Sequence, residues 1–334
     1  MRTATVALVG AAALIAASGS YRVVGKIPVG GEGWWDYLTI DASARRAYVS
    51  HGTHVVVVDL DSEKVVGDIP DTQGVHGIAI AATLNRGYTS NGRANNVTVF
   101  DLKTLKPLEQ IATGRNPDAI LYHPGTNRVF TFNGQSKDST VIDAASGKVL
   151  ATIPLGGKPE FPANDGKGKI YVNIEDTHEI AEVDASGLSV TKRYNLTGCE
   201  EPSGLAMDTA KRHLFSVCGN KVMAISDPDG GKVVTTLPIG EGADGAGFDA
   251  EKGLAFSSNG DGTLTVVRNT GGKYEVAETV QTQRGARTMA IDTKTHKVYL
   301  PTAEFGPTPA PTAQQPRPRP PMLPGSFTLV VVGS

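Results

Sequence analysis

From residue 21 onward the chain alternates short apolar runs with polar, glycine- and proline-rich breaks, and no stretch keeps a 3.6-residue apolar period. Laid against itself, it repeats. "RAYVSH", "RGYTSN", "RVFTFN", "KIYVNI", "HLFSVC", "LAFSSN" and "KVYLPT" are seven versions of one short strand. Their aromatic residues, Tyr48, Tyr88, Phe130, Tyr171, Phe215, Phe256 and Tyr299, follow one another at intervals of 40 to 44 residues. Three further runs accompany each: one ending in an acidic turn ("DYLTID", "GLAMD"), a β-branched run ("HVVVVDL", "TLTVV") and a run such as "KVVGDIP". Four short antiparallel strands in a unit of roughly 40 residues make a propeller blade. The pattern therefore predicts an all-β, seven-bladed β-propeller.

The ends of the chain fit that prediction. The last unit stops one strand short, and residues 21–29, "YRVVGKIPV", match the missing fourth strand. The N- and C-terminal strands are expected to share a blade, closing the ring and removing a free sheet edge. Residues 21–334 then form a single propeller, interrupted at 306–325 by the proline-rich insertion "GPTPAPTAQQPRPRPPMLPG". Its composition implies an extended polyproline II tract on the top face: a tolerated loop, or a lid or docking strip charged only by Arg317 and Arg319.

Units such as "YTSN" and "FSSN", joined to "VxVxD" and "GKVVxxIP" runs, resemble the YVTN repeat of YncE-like bacterial propellers. The resemblance spans residues 21–334 and implies the seven-bladed fold. It implies no particular reaction, because propellers host many chemistries.

Residues 1–20 read differently. Arg2 precedes an apolar run from Val6 to Ala17, and Ala16-Ala17-Ser18 is a small-residue cleavage zone. The run is shorter than the about 20 residues that a spanning helix needs. A cleaved signal is expected, with cleavage near 18–20 and a periplasmic or secreted product; an uncleaved anchor is the alternative. Such a compartment permits a disulfide. Antiparallel pairing of "SGLAMD" with "HLFSVC" brings Cys218 opposite Ser203, and Cys199 lies four residues before Ser203. A Cys199–Cys218 bridge is expected, two small buried thiols being the alternative.

Charge narrows the partners. Lys and Arg number 32 against 34 Asp and Glu, without a polybasic run, which argues against nucleic acid. A small-molecule ligand or a protein partner at the top face fits better, and a closed ring predicts a monomer.

In a propeller the innermost strand of each blade lines the central channel, and the loops leading into those strands converge on one face. Stepping back twelve residues from each aromatic marker samples one equivalent position per blade, with a one-residue offset in the fourth. The ring then reads Asp36, His76, Asp118, Glu160, Ser203, Asp244 and Arg287. Neighbouring top-loop positions add His51, Asn91, Asn133, Glu175, Glu201, Asn259 and Glu304. Such residues also initiate turns. Their concentration nevertheless predicts a polar, mainly acidic funnel whose like charges call for a cation, a proton or Arg287.

Asp36, His76, Asp118, Glu160 and Asp244 are the candidate ligands for a divalent metal, with carboxylate and imidazole donors suited to Ca²⁺, Mg²⁺, Mn²⁺ or Zn²⁺. His76 is the candidate acid/base group. Trp34 and Trp35, the chain's two tryptophans, stand immediately before Asp36. One is expected in the core and the other toward the funnel, where an indole stacks on a sugar, an aromatic or a cation. Two functions fit: an exported binding module, or a metal-dependent lactonase, hydrolase or lyase with His76 as base.

Overall fold

The computed structural model describes residues 20–312, 318 and 320–334. The expected signal lies outside these residues apart from Ser20, and so do Arg317 and Arg319. The chain forms seven four-stranded antiparallel sheets arranged as the blades of a propeller. Among the described residues the helical content is one turn, Ala82–Leu84, and no helix is long and apolar enough to cross a membrane.

Blade 2 shows the common plan: an inner strand Val75–Ala81, the aromatic strand Arg86–Asn91, then Asn96–Asp101 and an outer strand Pro107–Ala112. The seven marker aromatics are all buried, none more than 2% exposed. They pack between blades, as Tyr48 does on Phe100 of the next blade at 5.9 Å between ring centroids. Burying one such ring stabilises by on the order of 2 kcal/mol, so the 40-residue period is the period of the inter-blade core. The outer strands are largely exposed, including adjacent pairs such as Val65 and Val66.

Arg22–Pro28 completes the seventh blade, pairing with Thr328–Gly333 from Arg22 opposite Gly333 to Pro28 opposite Thr328. Ile27, 1% exposed, carries that strand into the core. The Cys199–Cys218 disulfide is formed, with Cα atoms 5.5 Å apart, and ties the loop into blade 5 to the end of its aromatic strand.

Asn91, Asn133 and Asn259 sit inside their blades, fully buried. Asn91 donates to Asn96 and Thr98 of the neighbouring strand, each at 2.8 Å, and accepts from Thr89. Asn133 and Asn259 repeat this pattern with Asp138 and Thr140, and with Thr263 and Thr265. Each amide satisfies polar groups that burial would otherwise penalise. The asparagine ending the aromatic strand is therefore a clasp within the blade. His51, in the equivalent place in blade 1, is also buried, packed 4.6 Å from the Phe327 ring. Burial, then the nearby His54, hold its imidazole down at about 4.

Candidate functional site

The inner strands do not run straight into the channel mouth. In blades 2 to 6 their pairing with the aromatic strand slips between Val75 and Ile78, Pro117 and Ile120, Pro159 and Pro162, Pro202 and Leu205, and Ala243 and Gly245. Each slip releases a residue or two from the ladder and re-aims a side chain, as β-bulges do. The released residues include His76, Asp118, Glu160, Ser203 and Asp244. Asp36 and Arg287 precede the first strands of blades 1 and 7 and complete the circle.

Freed backbone groups inside a core need partners, and side chains on the aromatic strands supply them. Ser90 Oγ accepts from the Gly77 N–H at 2.9 Å and donates to the Asp118 carbonyl of the next blade. Asn173 and Ser258 reach the carbonyls of Ser203 and Arg287 in the same way, at 2.8 and 2.6 Å. Thr288 donates to the Asp36 carbonyl at 2.6 Å, joining blade 7 to blade 1. Gly204 admits the close approach of blade 6, since a Cβ there would lie 2.5 Å from the Asp244 carbonyl oxygen.

His76 Nδ1 lies 2.6 Å from Asp36 Oδ2 and 3.6 Å from Asp118 Oδ1. Ligand atoms of these three side chains fall within 4.8 Å of one another. Asp118 Oδ1 is buried and has no hydrogen-bond partner among the described residues. Farther round, Arg287 bridges Asp244 (2.5 Å) and Asp36 (3.7 Å), and Ser203 Oγ donates to Asp244 at 2.5 Å. Lys158 pairs with Glu160 at 2.8 Å and with Glu175.

Across the channel, Tyr37 of blade 1 meets Phe161 of blade 4 at 5.1 Å between ring centroids. Tyr37 follows Asp36 and lines the funnel, and Phe161 follows Glu160 in the strand Pro159–Asn164. The cavity above has a volume of about 390 Å³, lined by the ring carboxylates together with Glu175, Glu201, Lys158 and Arg287.

Confinement of so much like charge changes the titration of the site. Burial pushes the Asp118 carboxyl up to about 7, against the pull of His76 and with Asp36 and Asp244 adding to the rise. Burial and then Asp118 push Glu160 up to about 8 despite Lys158. Asp244 is raised too, by burial, although Arg287 opposes it. For His76, burial disfavours the imidazolium, but the Asp36 hydrogen bond and the charges of Asp118, Asp36 and Glu160 outweigh it and push it up to about 9. The Tyr37 phenol is raised well above its ordinary value by burial and then by the four surrounding carboxylates.

The structure thus brings together Asp36, His76, Asp118, Glu160, Ser203, Asp244 and Arg287, with Glu175 and Glu201 on the same cavity wall. It places Asn91, Asn133, Asn259 and His51 in blade interiors instead, and Glu304 beside a separate cavity under the proline-rich insertion. Trp35 is buried against Phe327, whereas Trp34 is 46% exposed. Spacing alone did not single out Tyr37 and Lys158. Their signal was adjacency, since each stands within two residues of a ring position.

The architecture and the ring define a seven-bladed β-propeller with an acidic funnel at one mouth of its channel. No protein-family model matches the chain, and no curated protein matches it. Among solved structures it is similar to Kuenenia stuttgartiensis hydrazine synthase, with a TM-score of 0.68 and 15% identity over 79% of this chain and 91% of that one. At that identity the likeness is one of fold.

Proposed function

We propose that this chain is an exported, monomeric β-propeller that binds a small ligand at the funnel, where Asp36, His76 and Asp118 hold a divalent cation. The observation that carries the reading is the meeting of three potential ligand atoms from three successive blades within 4.8 Å, beside an Asp118 Oδ1 that is buried without a hydrogen-bond partner among the described residues. An excess of carboxylates over cations favours a bound cation, which replaces protons the empty funnel retains. Two carboxylates with one imidazole suit Ca²⁺, Mg²⁺, Mn²⁺ or Zn²⁺, and the imidazole favours the last two. Three protein ligands would leave further coordination positions for a ligand. The disulfide and the apolar residues 6–17 support export, and the YVTN-type repeats support kinship with YncE-like propellers.

The test is calorimetric titration of chelator-treated protein with each of the four ions, for wild type and Asp118→Asn. We expect saturable binding with proton release, weakened at least tenfold in the variant. Absence of binding heat, together with melting curves unchanged by metal or EDTA, would sink the cation reading.

A second reading, a metal-assisted lactonase, hydrolase or lyase, draws on the same cluster. Its proton chemistry shifts, however. An imidazole pushed up to about 9 is a proton donor at neutral pH, while Glu160, near 8, is the group poised for transfer. Turnover of a lactone panel by metal-loaded protein, lost in Glu160→Gln, is the outcome that favours it.

A further inference from the structure

The funnel holds more carboxylates than its own cations answer. Asp36, Asp118, Glu160, Glu175, Glu201 and Asp244 all line it. Lys158 faces Glu160 and Glu175, Arg287 faces Asp244 and Asp36, and His76 faces Asp36 and Asp118. Glu201 is the exception: it is exposed on the cavity wall and has no ion-pair partner among the described residues. Gly219 gives that carboxylate its place. A Cβ there would lie 2.9 Å from Glu201 Oε2 and 3.2 Å from Glu201 Cβ, so a side chain at 219 would push the carboxylate aside.

Tyr37 is an independent sign of a ligand. Its side chain is packed on Phe161 and only 7% exposed, yet it lines the same cavity. The hydroxyl is not sealed in the core, and no described residue hydrogen-bonds to it. Polar groups on buried side chains ordinarily find partners. A hydroxyl held by a packed ring and left open to a cavity is therefore a place for a ligand atom. As a protonated phenol it donates, so that atom is an acceptor. Neither Glu201 nor Tyr37 belongs to the Asp36, His76 and Asp118 cluster. Together they specify charge and composition. A ligand carboxylate would join six others with every cation already engaged, and a neutral polyol would leave Glu201 unpaired. An ammonium answers Glu201 with charge-assisted hydrogen bonds, and a hydroxyl oxygen on the same molecule accepts from Tyr37.

We infer that the funnel binds a small ammonium ligand bearing a hydroxyl, the ammonium on Glu201 and the hydroxyl oxygen on Tyr37. This rests on the reading of the funnel as a ligand-binding face and names the class of ligand it takes. An amino alcohol and an amino sugar share that chemistry, and a cavity of about 390 Å³ admits either.

The experiment is titration of the full chain, in amine-free buffer, with ethanolamine and glucosamine, each against its uncharged counterpart, ethylene glycol and glucose. Every titration is run on metal-free protein and with Mn²⁺ present. At least one amine should bind saturably, about tenfold or more tighter than its counterpart. Glu201→Gln, an exposed change that leaves the core intact, should erase that preference. Tyr37→Phe keeps the packed ring and should weaken the amine by about threefold or more. The amine that binds tells an amino alcohol from an amino sugar. Equal affinity for amine and counterpart, an amine preference that survives in Glu201→Gln, unchanged affinity in Tyr37→Phe, or no binding of any of the four probes in either metal state overturns the inference. Mn²⁺ uptake without amine binding would overturn it and leave the cation reading standing. Amine binding to protein that takes up no Mn²⁺ would do the reverse.

Discussion

The imidazole of His76 meets the carboxylate of Asp36 at 2.6 Å, although the two come from different blades 40 residues apart in sequence. The same nitrogen is 3.6 Å from Asp118 of the third blade. Side chains of three blades thus meet at the channel mouth around one ring nitrogen.

Stability of the metal-free protein should consequently depend on pH in a definite direction. The His76 imidazole is raised from an ordinary 6.5 to about 9, so its contribution is complete below 6.5 and disappears as pH rises through 9. Asp118 and Glu160 are raised as well, to about 7 and about 8. The folded state therefore keeps their protons where the unfolded chain releases them, and their contribution also falls as pH rises from the ordinary carboxylate range through those values. All three effects share a sign. Melting in EDTA should shift down by several degrees between about pH 5 and about pH 9, and Asp118→Asn with His76→Gln should flatten the profile. A wild-type melting temperature that stays level across that range would contradict the assignment.

Ser90 satisfies two backbone groups freed by adjacent bulges. Ser90→Ala should cost about 1–3 kcal/mol in denaturant unfolding, because the Gly77 N–H and the Asp118 carbonyl lose a buried partner. It should also weaken cation binding, since Asp118 would no longer be held. Ser43→Ala, an exposed change at a turn on the opposite side of the blade, is the control and should do neither. Loss of stability with no change in affinity would show that the belt supports the fold alone.

Replacing both cysteines by serine opens a closure of 19 residues in sequence. The expected loss is about 2–4 kcal/mol, with the released loop carrying Glu200 and Glu201. Because Glu201 lines the funnel on the side away from His76, Mn²⁺ affinity should change less than threefold while the melting temperature falls. Calorimetry and a thermal melt on the same sample check both halves.

The fold was legible because one buried ring per blade repeats in sequence as regularly as the blades do in space. The ring of site residues was legible for the same reason, as a fixed distance from that marker. Asn91, Asn133 and Asn259 show where the reading stops: a polar residue at the end of a strand looks the same whether it faces water or clasps Thr98, Thr140 or Thr265 inside a blade. The bulges were invisible because they are a property of strand pairing, and no residue type announces them. Of the adjacent tryptophans Trp35 is buried and Trp34 46% exposed, but they lie outside any strand, their rings stack on each other, and Trp34 lines a cavity beside the funnel rather than the funnel itself. That Phe305, at the start of the proline-rich insertion, would stack on Trp34 lay beyond local pattern.

The bulges also bear on how such a protein diversifies. A residue lifted out of the ladder can change identity without breaking a strand pair or emptying the core between blades. Each of five consecutive blades contributes one such position, and all five open onto one mouth. The scaffold therefore separates inheritance of shape from choice of chemistry: a substitution at one of these positions changes its partners round the ring, such as Asp36 for His76 or Arg287 for Asp244, and leaves the blades as they are.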